Sequence, residues 1–283
     1  MIITILEGGL GNQLFQYAIG RHLSIKNNDR LVIDASVYLI DKLRHYDLNR
    51  YNIKAEVGNI AICFFARVAK NIIPKIEKKI TFPIKYVKEQ NTYFHKEIFS
   101  IKGNVILGGY WQSEEYFKDI RDIILDDLTL LSSPDKENKK MLQRINNSNS
   151  VCLHVRRTDY VSDPLLQKFH ANLTQDYYNK AIGSICNQIS DPEFFIFSDE
   201  PEWCKRNVFT DRPHTYVDIN GPDKAPEDLR LMSACNHFII ANSSFSWWAA
   251  WLAEKAGTVI IAPKRWYREK DEGDIVPKRW LRM

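Results

Sequence analysis

The chain has 283 residues, enough for one large domain or two of ordinary size. It is 45% hydrophobic and 26% charged, an ordinary globular composition that supports a substantial core. A net charge of +4 is too small to point to nucleic acid, and it suits an anionic substrate. Five cysteines (63, 152, 186, 204 and 235) are odd in number and lack the close spacing of a zinc or redox motif, so they read as reduced thiols of a cytosolic protein. The N-terminus runs straight into Ile2-Ile3-Thr4-Ile5-Leu6, with neither the basic region nor the cleavage site of a secretion signal.

That first run has strand composition. After it come Gly8-Gly9-Leu10-Gly11 and a helical pattern on Leu14, Tyr17, Ala18 and Leu23. Strand, glycine turn and helix form the opening unit of a nucleotide-binding α/β fold, in which the glycines admit a ligand to the backbone and the helix end offers free N–H groups. The dinucleotide fingerprint is incomplete, because Leu14 stands where the third glycine belongs. Arg30 to Asp34 reads as a second strand, with Asp34 imitating the acidic residue of an NAD site.

Between Ile60 and Lys88 the pattern loses regularity. The most lipid-like run, Ile60 to Ala69, is interrupted by Arg67 and too short to span a bilayer. Lys70, Lys75, Lys78, Lys79, Lys85 and Lys88 read either as a solvated helical face with a loop or as a weak contact with an anionic membrane. Val105-Ile106-Leu107 is a buried strand running into Gly108-Gly109. Tyr110-Trp111-Gln112 follows, whose rings and amide suit a sugar as well as a core.

A Ser/Pro break at Leu131 to Asp135 marks the domain boundary, placing one domain at 1–133 and the other at 134–283. Beyond it, strands are expected at Val151–Val155, Phe194–Phe197, Thr215–Val217, Phe238–Ala241 and Thr258–Ile261. Helices are expected at Gln175–Gln188, Glu200–Asn207, Glu227–Ala234 and Phe245–Lys255. Such alternation argues a parallel sheet. The strand at Val151 ends in His154-Val155-Arg156-Arg157-Thr158-Asp159, a concentration of charge that an apolar strand carries where its carboxyl end opens into a site. Neighbouring strand residues face opposite sides, so one arginine is expected on a ligand and the other on an internal carboxylate.

His154-x-Arg156-Arg157-x-Asp159 resembles the first signature motif of the α1,2-, α1,6- and protein O-fucosyltransferases. The whole chain resembles a bacterial α1,2-fucosyltransferase of glycosyltransferase family 11. The resemblance rests also on Gly8 to Ala18, Gly109 to Ser113, Phe197-Ser198-Asp199, Leu231 to Cys235 and Asn242 to Trp248, in the same order and over nearly the full length. It implies a GT-B-like α/β fold, two Rossmann-type domains facing across a cleft. The N-terminal domain would lie on the acceptor side and the C-terminal one would bind GDP-fucose, with the tail packing back.

The implied reaction is inverting transfer of fucose from GDP-fucose to the 2-hydroxyl of a terminal galactoside of a bacterial surface glycan. The resemblance puts Arg157 on the diphosphate, Arg156 beside it, His154 against the guanine and Asp228 on the guanine N–H edge. It puts Asn12 near the reacting centre in the Gly9/Gly11 turn, and Ser243 and Ser244 on phosphate or sugar. Asp228 and both serines also suit a helix cap. Trp111 and Gln112 would meet the acceptor. Asp159, Asp163 and His170 are candidates to receive its proton, and Asp159 equally suits holding an arginine.

No Asp-x-Asp occurs in the sequence, so arginines and dipoles are expected to replace a metal, with no cofactor. The expected place is the cytoplasm, with a weak peripheral membrane contact at most. Two rivals are an NAD-dependent dehydrogenase, resting on Gly9, Gly11 and Asp34, and a non-catalytic glycan-binding protein built on the aromatic patches.

Overall fold

The computed structural model describes residues 1–76, 83–157, 173–208, 210–268 and 271–283. The chain divides into two compact units. One holds residues 1–131 with 273–275, and the other holds 132–272 with 276–283. Each is built on a wholly parallel sheet covered by helices, the α/β organisation expected from the alternating pattern.

In the first unit the strands are β1 (Ile2–Ile5), β2 (Leu31–Asp34), β3 (Glu56–Val57), β4 (Ile84–Lys88) and β5 (Asn104–Gly108), in the order β3-β2-β1-β5-β4. Helix α1 (Leu10–Asn27) is buried almost all round, through Leu14, Phe15, Ala18, Ile19 and Leu23. Helix α2 (Ile60–Ile76) closes another face, where Ala66, Ala69 and Ile73 pack against Ile3, Ile5, Val32 and Ile106. A short helix, α3 (Arg121–Asp127), completes the unit. Within the Ile60–Lys88 stretch, Lys70 and Lys75 lie on a helix as expected, Lys85 and Lys88 lie on a strand rather than in a loop, and Lys78 and Lys79 lie outside the described residues. The pattern loses regularity because α2 is apolar on both sides: Ile60 and Phe64 are 86% and 70% exposed although the opposite side is core. In β4 only Ile84 is buried, so the strand carries little alternation.

In the second unit the strands are β6 (Asn149–Val155), β7 (Pro192–Ser198), β8 (His214–Val217), β9 (His237–Ile239), β10 (Ile260–Ala262) and β11 (Leu281–Arg282). Their order is β8-β7-β6-β9-β10-β11, which is 3-2-1-4-5-6 in order of appearance, the doubly wound dinucleotide-fold order. The helices are α4 (Lys136–Asn146), α5 (Gln175–Gln188), α6 (Pro201–Asn207), α7 (Ala225–Ser233) and α8 (Ser244–Ala253). Strand alternation divides β6: Val151, Leu153 and Val155 join Tyr177, Ala181 and Ile185 of α5 in one core. Cys152 and His154 point to the opposite face. Trp247, Trp248 and Trp251 make α8 a buried aromatic stack. At roughly 1.5–3 kcal/mol for each large apolar side chain buried, these two faces dominate the unit's stability. No helix among the described residues is long and apolar enough to cross a membrane.

Candidate functional site

In each sheet the strand order reverses beside the first strand of the unit: between β6 and β9 in the second unit, and between β1 and β5 in the first. Open α/β sheets take ligands beyond the carboxyl ends of strands at such reversals. In the second unit that place is formed by Val155-Arg156-Arg157 after β6 and by Asn242-Ser243-Ser244 after β9. Ser243 is the N-cap of α8, its hydroxyl accepting from the Phe245 N–H at 3.3 Å, and half-buried Ser244 is the first helical residue. The capping role foreseen for this pair is therefore filled by Ser243, and α8 starts at the reversal with its N–H end.

Both arginines meet carboxylates, rather than one of them. Arg156 Nε lies 3.2 Å from Asp199 Oδ2 and Arg157 Nε lies 3.4 Å from Glu200 Oε2, while the Arg157 backbone N–H donates to Asp199 Oδ1 at 3.0 Å. The face-to-face alternation does not apply because β6 ends at Val155. Asp199 and Glu200 directly follow the neighbouring strand β7, so the register that pairs Val155 with Ser198 delivers them to the arginines. The Arg157 guanidinium also stacks on Trp203 of α6, 3.9 Å from the ring centroid. All four charged side chains stay partly open, at 16–32% exposure, so the cluster is braced without being sealed.

His154 is 5% exposed, and its ring lies 6.0 Å from that of Phe245. Burial, reinforced by Arg156 and opposed by Asp199, lowers its pKa to about 4 and keeps the imidazole neutral near pH 7. Its Nδ1 has no hydrogen-bond partner among the described residues.

Asp228 is the fourth residue of α7, and the cap position belongs to Lys224, so Asp228 is not a cap. Its Oδ1 accepts from the Asn220 amide at 2.9 Å, and Asn220 is in turn locked to Asn138 by two bonds of 2.9 and 3.0 Å. Burial raises its pKa from 3.8 to about 6; Asp218 and Glu227 push the same way and Asn220 opposes them. A carboxylate held half-buried without a cation is poised to accept N–H groups from a ligand. Helix α7 packs against α8, which brings this carboxylate's helix beside the one that starts at the reversal.

In the first unit the reversal is occupied by the glycine turn. Gly8 has φ +85°, and a Cβ there would come 2.5 Å from the Asn12 amide nitrogen, so only glycine fits. Gly9 is the N-cap of α1 and Gly11 lies in its first turn. Two buried glutamines brace the turn. Gln13 donates to the Gly8 and His45 carbonyls, and Gln16 accepts from Glu7 N–H while donating to the Gly109 carbonyl. Asn12 Oδ1 accepts from Gln112 Nε2 at 2.8 Å, so the structure brings these two foreseen residues together. Trp111 is 3% exposed and packs edge-on against Tyr116, whereas Tyr110 is 43% exposed and is the ring that solvent reaches. The Trp111 indole N–H has no acceptor among the described residues.

Asp34, the residue that imitated an NAD site, is fully buried and paired with Arg67 at 3.0 Å, so it is not open to a ribose. Asp159, Asp163 and His170 lie outside the described residues. Among the described residues no group of three or more His, Cys, Asp or Glu side chains is arranged to hold a metal. The roles of Glu200, Trp203, Asn220, Gln13 and Gln16 were not read from the sequence. For Glu200 a signal existed, since an acidic pair directly follows the next strand after the arginines.

The family model "Glycosyl transferase family 11" matches residues 3–283. An α-1,2-colitosyltransferase of Escherichia coli is 34% identical, covering 100% of this chain and 99% of the relative. A galactoside alpha-(1,2)-fucosyltransferase 2 of Mus musculus is 32% identical, over 51% of this chain and 44% of the relative. Among solved structures, that of a mutant of Arabidopsis thaliana FUT1 in complex with GDP shares the fold, with TM-score 0.52 and 10% identity over 92% of this chain and 69% of that one.

Proposed function

This chain belongs to glycosyl transferase family 11 and is a glycosyltransferase, and on that premise we propose that it transfers L-fucose from GDP-β-L-fucose, with inversion, to the 2-hydroxyl of a terminal galactoside of a surface glycan. The observation that carries this reading is the braced arginine pair with a neutral histidine at the strand-order reversal of the second unit, beside the N-terminus of α8.

Residues 134–283 bind the donor. Asp228 accepts from the guanine N–H edge, which repays the burial of its charge and selects against adenine, whose matching edge presents an acceptor. His154 lies against the base. Arg157 holds the diphosphate with Arg156 beside it, and Ser243 and Ser244 present α8 to phosphate or sugar. The galactoside O2 attacks the anomeric carbon as the bond to the phosphate oxygen breaks, and GDP leaves. Negative charge grows on that oxygen, and Arg157 stabilises it more in the transition state than in the ground state. The hydroxyl proton passes to Asp159, Asp163 or His170, or leaves without a dedicated base. The arginines and the helix end supply the positive charge, so no metal and no cofactor take part.

Residues 1–133 take the acceptor, with Gln112 and the exposed Tyr110 at the sugar, Trp111 buried behind them, Asn12 near the reacting carbon, and Gly9 and Gly11 opening the turn to a ligand. The protein works in the cytoplasm. The exposed Ile60, Phe64 and Lys75 of α2 support a peripheral contact with the inner face of the membrane, which flotation with anionic vesicles tests. A second reading of the donor sugar, colitose, is favoured by the 34% identical colitosyltransferase. The test is incubation with labelled GDP-fucose or GDP-colitose and a panel of β-galactosides, followed by linkage analysis. An α1,2-linked product supports the proposal, and no transfer to any β-galactoside refutes it.

A further inference from the structure

Glu89 follows β4 directly, and its own N–H donates to the Gly108 carbonyl at 2.8 Å. Both of its carboxylate oxygens are spent on one short stretch of backbone: Oε2 accepts from Tyr110 N–H and Oε1 from Trp111 N–H, each at 2.8 Å. The backbone held this way is unusual. Trp111 has φ +57°, a left-handed conformation uncommon for a bulky residue. Gly109 has φ +136°, and a Cβ there would come 2.4 Å from the Glu89 Cβ. The bend buries the Trp111 ring against Tyr116, leaves Tyr110 open to solvent, and aims the Gln112 carboxamide at Asn12. Strained backbone persists where its surroundings over-determine it, and it concentrates where a geometry must be held for a ligand.

We propose that Glu89 is a positioning residue for the acceptor, a neutral hydroxyl-rich sugar: its carboxylate fixes the Tyr110–Gln112 bend and thereby the Gln112–Asn12 pair. This rests on the reading that the bend takes the acceptor. A carboxylate is needed because two adjacent N–H groups require two acceptor oxygens in one plane. A carboxamide of the same shape offers one acceptor and sets a donor against the other N–H.

The experiment measures KM for a methyl β-galactoside and for GDP-fucose in wild type, Glu89→Gln and Gln112→Ala. Losing one charge-assisted bond predicts an acceptor KM raised about tenfold or more for Glu89→Gln, with the GDP-fucose KM within about twofold. A merely structural role lowers Vmax through the folded fraction and leaves both KM values in place, and that result overturns the proposal. So does an equal rise in both. If Gln112→Ala raises the acceptor KM and Glu89→Gln does not, Glu89 alone is wrong. If Gln112→Ala leaves the acceptor KM unchanged, the acceptor reading fails and this proposal with it. Should Glu89→Gln not fold, Gly109→Ala displaces the same carboxylate through the Cβ contact, and the same split in KM is required of it.

Discussion

The carboxyl ends of β1 and β6 hold the same topological position, each beside the reversal of its sheet, yet they are furnished in opposite ways. After β6 the contacts are ionic: Arg156 with Asp199, Arg157 with Glu200, and a guanidinium stacked on Trp203. After β1 the glycine turn is held by amide and backbone contacts, Gln13 and Gln16 on the turn and Asn12 on Gln112, with an ion pair, Glu7 with Lys70, at its base. In the proposed function, the first end serves an anion whose charge changes during reaction. In the same proposal, the second serves a neutral, hydroxylated molecule that must only be held. Repetition of one fold thus supplies two equivalent positions, and side-chain chemistry is what distinguishes them.

The strongest way to break this contrast is to remove charge from the second unit. Arg157→Ala should lower kcat by on the order of 100- to 1,000-fold, as loss of one oxyanion donor does, with a smaller loss in GDP affinity. Arg157→Lys should recover little, because a flexible point charge neither stacks on Trp203 nor presents a planar fork. Arg156→Ala should spend more of its damage on stability, since it leaves Asp199 without that guanidinium. Turnover of Arg157→Ala near that of wild type, with normal circular dichroism, would remove the arginine from the mechanism.

A smaller effect sharpens the contrast through pH. Asp228 has a folded pKa raised from 3.8 to about 6, so its ionised form is what folding disfavours and, in the proposed role, what guanine needs. GDP affinity should be level above pH 6 and fall by up to about tenfold per unit below it, as titration calorimetry would record. The stability sign is opposite. The group's favourable contribution is complete below the unfolded value and is lost as pH rises through about 6. Asp228→Asn should therefore raise stability at pH 7, by at most about 2–3 kcal/mol, and change little at pH 4 while weakening GDP binding. A melting temperature shifted equally at both pH values contradicts this.

Smallest of all is the expected response to metal. With cationic side chains carrying the diphosphate, EDTA should leave the rate within about twofold of its untreated value, because the arginine donors already supply the stabilisation a cation would give. Loss of most activity, restored by magnesium or manganese, would assign the diphosphate's charge to a metal instead.

Much of this was legible in the sequence. Five of the second unit's six strands, read as apolar runs between turn residues, lie within about two residues of where they fold, the short β11 being unforeseen, and Gln175–Gln188 is a helix with those bounds. Arg156, Arg157 and His154 stood out because an apolar strand seldom ends in so much charge, although a carboxylate partner was foreseen for only one of the two arginines. Helix α2 was not, because its solvent side carries Ile60 and Phe64 and so masks the period. Asp199 and Glu200 escaped pairing because they stand more than forty residues beyond the arginines, and only the β6–β7 register joins them. Glu89 was invisible for a related reason: its partners are backbone N–H groups, which no side-chain pattern announces.

The division of labour itself is most directly tested by titrating GDP, under one set of conditions, into wild type, Asp228→Ala, Arg157→Ala, Gln112→Ala and Glu89→Gln. The account predicts a loss of about 10- to 100-fold for Asp228→Ala and a lesser loss for Arg157→Ala, with Gln112→Ala and Glu89→Gln within about twofold of wild type. Equal weakening by both pairs, or weakening by the first-unit pair alone, would contradict it.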